Sequence, residues 1–112
     1  SSSVIIDVLS AINDFDLVYF ELAYDKILEN DQPSIDALKL FNLIKHYSIL
    51  ESTNPLDFVS SIKKLTSLMV FEESTGLAFD MDDEFIVYLN DYSNMLKELI
   101  VEHKALLGNN DQ

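Results

Sequence analysis

Glycine and proline are the residues that punctuate regular structure, and this chain has two of each in 112 positions. Punctuation so sparse suits long helices better than many short strands joined by tight turns. Pro33 and Pro55 each fall in a polar cluster between apolar segments and mark helix starts. Gly76 and Gly108 mark helix ends. These four residues divide the chain into four helical segments. The expected fold class is all-α: a compact four-helix bundle with long first and last helices.

Apolar spacing supports that division. Ile5, Val8, Ile12, Phe15, Tyr19 and Leu22 alternate by three and four and form one stripe, which predicts a single helix over residues 4–29. Asn13, Asp14 and Asp16 compete for backbone hydrogen bonds, so a division into two shorter helices is the alternative. Ile6, Leu9, Phe20 and Ala23 lie off the stripe, so this helix is expected to be central and buried on more than one side. Ser34 is the expected cap of a second helix, with stripe Ala37, Leu40, Phe41, Ile44 and Tyr47 running to about Leu50. Asn54, Pro55 and Asp57 supply cap, first-turn proline and dipole-matched charge for a third, with Phe58, Ile62, Leu65 and Met69 inward. A short hairpin or irregular loop is expected at 70–81. The last helix is predicted over 83–107, with stripe Phe85, Leu89, Tyr92, Leu96, Leu99, His103 and Leu106, ended by Gly108.

Charge narrows the partners. Twenty Asp and Glu face seven Lys with no Arg, a net charge of −13, which opposes direct binding to nucleic acid, nucleotides or anionic membranes. An AT-rich genome depletes Arg codons as well and is the plain alternative. Residues 1–38 hold eight acids and one Lys, residues 39–71 two acids and four Lys, and residues 72–112 ten acids and two Lys. The two ends therefore repel unless apolar packing overrides them, and a partner guided by their charge is basic. With no cysteine, disulfides and thiolate chemistry are excluded and an intracellular home, cytoplasmic or nuclear, is expected. No apolar run reaches the roughly 20 residues that span a bilayer. A chain that opens on three serines and closes on GNNDQ reads as one domain, 1–112, excised from a larger protein with flexible ends at 1–3 and 108–112.

Chemistry finds little to stand on. Asp80, Asp82 and Glu84 resemble the opening of a calcium loop, but Phe85 falls where that loop needs glycine, so their expected role is to favour a helix start. His46 and His103 lack ligand partners at one-turn spacing; His103 is expected to pack in the core. No serine sits in a glycine-flanked elbow and no Gly-rich phosphate loop exists. No enzyme, metal or cofactor is expected. Partner contacts are expected from the 71–81 loop, where Phe71, Leu77, Phe79 and Met81 mix with Glu72, Glu73 and Asp80, and from Tyr24 and Tyr88 as surface tyrosines. The bland alternative is that the loop's apolar residues cover the core. The function expected is a protein-interaction domain, a monomer or homodimer, that binds a basic or amphipathic helix. A small acidic inhibitor of a basic enzyme such as a nuclease, of the immunity-protein or antitoxin type, is one alternative. A homodimerisation module using the last helix is another.

Overall fold

The computed structural model describes residues 2–30, 34–74 and 85–110. Within them the chain forms α1 (Ser2–Ala11), α2 (Asp14–Glu29), β1 (Ser34–Asp36), α3 (Ala37–Ile44), a 3-10 turn (Ser48–Leu50), α4 (Pro55–Ser67), β2 (Phe71–Glu73), β3 (Ile86–Leu89) and α5 (Asp91–Asn110). Helix dominates, but a three-stranded antiparallel sheet of order β1-β3-β2 overturns the all-α four-helix bundle.

Each departure has an identifiable cause. The single helix over 4–29 is divided at Asn13, whose side-chain oxygen accepts from the Asp16 backbone at 2.8 Å while Asp16 accepts from the Asn13 backbone at 3.0 Å. This reciprocal capping box satisfies donors that a continuous helix would have paired internally, and it starts α2 in a new phase. Phe15 is consequently exposed, while Tyr19, Phe20 and Ala23 are buried. Ser34 does not cap the second helix. It enters β1, and Asp36 caps α3 through the Lys39 backbone at 3.2 Å. The third helix starts as expected, with Asn54 accepting from Leu56 at 2.8 Å and Pro55 in the first turn.

The predicted last helix loses its first turns. Ile86, Val87, Tyr88 and Leu89 are β-branched or large, and they form the central strand, paired with both β1 and β2. Asn90 then starts α5: its side chain accepts from Ser93 N at 2.9 Å and its own N–H donates to Ser93 Oγ at 3.0 Å. Ser93 Oγ also donates to the Val70 carbonyl, and Asn90 Nδ2 to the Met69 carbonyl at 2.8 Å, so one polar knot joins α4, β2 and α5. Gly108 lies inside α5 rather than ending it. Pro33, Gly76 and most of the segment expected as a short hairpin or irregular loop at 70–81 fall outside the described residues; Phe71–Glu73 forms β2 and pairs with β3.

The core forms where α2 meets α3, α4, α5 and the sheet. Phe58 packs between Tyr19 and Phe41, with ring centroids at 5.6 and 5.3 Å, and Phe20 packs on Phe71 at 5.3 Å. The central helix expected from the sequence is thus its second half, α2.

Candidate functional site

The fold brings the two acidic ends of the chain together. α5 packs against both α1 and α2, and these three helices carry nine acids and three lysines. Ile5, Val8, Leu96 and Ile100 close the shared core beneath. Two lysines on α5 offset part of the repulsion. Lys97 Nζ meets Glu21 Oε2 at 2.8 Å and Asp25 Oδ1 at 3.0 Å, and lies over the Tyr24 ring at 5.9 Å. Lys104 Nζ meets Glu21 Oε1 at 2.6 Å. Burial alone raises the Glu21 pKa, but the bonds from Lys104 and Lys97 outweigh it and hold the carboxyl below its ordinary value. For Lys97 burial works toward the neutral form, and Glu21 and Asp25 more than reverse it.

Along this seam runs a groove of about 520 Å³ whose lining is largely apolar: Leu9 of α1, Leu17 and Val18 of α2, and Leu96, Leu99 and Ile100 of α5. Leu9 is 50% and Leu99 39% exposed, so the groove opens to solvent. Exposed Ile6 extends its apolar wall one turn along α1. Glu21, His103 and Lys104 are the polar residues of its lining. Exposed Asp14 lies one turn before Leu17 and Val18, and exposed Glu102 one turn beyond Leu99, which gives the groove an acidic margin. His103, expected in the core, is exposed at this edge, because the new phase of α5 buries Ser93, Leu96 and Ile100 instead.

The residues singled out from sequence are dispersed. Tyr24 is not a surface tyrosine: it is 8% exposed, and its hydroxyl donates to Asn94 Oδ1 at 2.8 Å, tying α2 to α5. Phe71 is buried against Phe20 rather than presented by a loop. The face of the sheet it shares with Val87, Leu89 and Ile35 packs toward the helices, whereas Glu72 and Tyr88 pair on the other face. There Glu72 pushes the Tyr88 hydroxyl pKa up by hydrogen bond and charge. Glu72 and Glu73 are exposed on β2. Leu77, Phe79, Asp80 and Met81 lie outside the described residues.

A second, polar cleft of about 630 Å³ lies between α2, α4 and residues 49–54. At its floor Asp16 accepts from Ser61 Oγ at 2.7 Å and from Lys64 Nζ at 2.6 Å. Ser61 and Lys64 are one helical turn apart, as a serine nucleophile and its lysine base can be, but both are bound to the same carboxylate and Ser61 is buried. Burial works to raise the Asp16 pKa, and the bonds from Lys64, Ser61 and the Asn13 backbone prevail and lower it. The cluster joins α2 to α4 through one carboxylate.

Among the described residues no three His, Asp or Glu side chains converge as metal ligands, and no helix is long and apolar enough to cross a membrane. No protein family, curated protein or solved structure matches the chain.

Proposed function

We propose that this chain is a non-enzymatic interaction domain of a larger intracellular protein, and that it takes up a basic amphipathic helix of a partner in the groove between α1, α2 and α5. The observation that carries this reading is a solvent-open apolar groove built on the chain's two most acidic segments. The apolar face of a docked helix would bury Leu9 and Leu99, and its lysines and arginines would meet Asp14, Glu102 and their neighbours. The same acidity disfavours a second copy of this chain in the groove, since both faces would carry the same sign. It also disfavours a nucleic-acid partner.

A labelled Leu/Arg amphipathic peptide of about 18 residues, long enough for five turns, tests the proposal by fluorescence anisotropy. Binding is expected, weakened by salt and lost in Leu99→Asp while the circular dichroism spectrum is kept. Unchanged affinity in that variant would clear the groove of the role. The acidic face also supports the inhibitor reading, in which the occupant is the basic cleft of an enzyme such as a nuclease; stoichiometric loss of that enzyme's activity would separate the two.

A further inference from the structure

Glu21 is the one carboxylate among the residues lining the apolar groove, and its two oxygens are held by two lysines that differ in kind. Lys97 is 20% exposed, meets a second carboxylate at Asp25, and lies over the Tyr24 ring, so three groups fix it. Lys104 is 62% exposed at the groove's edge, and among the described residues Glu21 is its one ion-pair partner. An exposed pair of that sort contributes little to the fold. Once a docked helix closed the groove, however, an Oε1 with no cation would be buried unpaired, which is costly.

We infer that Lys104 occupies the position of a partner's cation, and that Glu21 is the specificity residue of the groove: an arginine on the docking helix displaces Lys104 from Glu21 Oε1 while Lys97 keeps Oε2. The inference rests on the function proposed above and deepens it. Three features fit the exchange. The carboxylate lies within the apolar lining rather than on the outer margin, so a cation reaching it is partly desolvated and the contact selects among amphipathic helices of equal net charge. A guanidinium presents a planar fork of donors, whereas the Lys104 ammonium is a point charge on a flexible stem. Lys97 holds Glu21 in place whichever cation occupies Oε1.

The test uses the same Leu/Arg peptide with wild-type protein and three variants, each checked by thermal melt. Lys104→Met removes the competing charge and keeps the stem; binding is expected to tighten about five- to tenfold. Glu21→Gln removes the selecting charge and should weaken binding by a similar factor, and in the double variant the Lys104→Met gain should vanish. Lys39→Met, on the exposed face of α3, changes net charge by the same unit and is expected to alter affinity less than twofold. Tightening by Lys39→Met equal to that of Lys104→Met would reduce the effect to net charge and overturn the inference. Unchanged affinity in Lys104→Met, with binding still abolished by Leu99→Asp, would overturn it and leave the groove standing. No binding by the wild-type protein would remove both.

Discussion

Asp16 does three jobs with one carboxylate. It completes the cap of α2, accepts the buried Ser61 hydroxyl of α4 and meets Lys64. Lys64 is 40% exposed, so water screens that arm, and most of the contribution comes from the buried Ser61 and the backbone bonds. Asp16→Ala is expected to cost about 2–3 kcal/mol by urea unfolding at neutral pH. Its folded pKa is lower than its unfolded one, so the stability it contributes is present above the ordinary carboxylate range and lost as pH falls through the folded value. The wild-type protein should therefore lose stability below about pH 4 more steeply than Asp16→Asn; parallel profiles would remove Asp16 as a source of acid sensitivity. Met69 carries the opposite lesson. Its φ is 72°, and Met69 N and Val70 N bond Thr66 and Leu65 carbonyls at 3.0 Å, a Schellman ending with methionine where glycine is favoured. As Met69 is 54% exposed, Met69→Gly should stabilise by about 0.5–1 kcal/mol, a gain readable in the midpoint of a thermal melt.

Among the elements, α4 was the most legible, because Asn54, Pro55 and Asp57 act within one turn and nothing distant overrides them. The strands were not. Ile86–Leu89 continues a three-and-four spacing into α5, and only pairing with residues far away in the chain decides that it is extended. β1 was hidden for the same reason, since Ser34 and Asp36 are both good caps and their order along the chain does not say which one acts. The groove was not located from the sequence. Off-stripe Leu9 read as part of a helix buried on more than one side, the apolar positions of the last helix read as core or as a seam between copies, and nothing marked Glu21. Its pairing with Lys97 and Lys104 depends on how α2 crosses α5, which no local spacing encodes. Tyr24 was misplaced because the capping box at Asn13 resets the phase of everything after it.

At the scale of the molecule, charge is segregated among the described residues: α1, α2 and α5, which pack together, carry nine acids and three lysines, whereas α3 and α4 carry one acid and three lysines. Packing like charges together costs stability that screening should restore. The midpoint of thermal unfolding is expected to rise from about 20 mM to about 500 mM sodium chloride, despite the weakening of the Lys97 and Lys104 pairs. A fall would mean that those bridges outweigh the general repulsion. The sheet has a different consequence. Among the described residues β1 and β2 pair with no strand but β3, and β1 meets it across about fifty residues of chain, so neither outer strand has a place to settle until the last of the three is made. On a ribosome the helices through α4 can collapse as they emerge, but Ile35 and Phe71 must wait with open backbone edges, and a chain halted before Ile86 would be poised to pair with its neighbours.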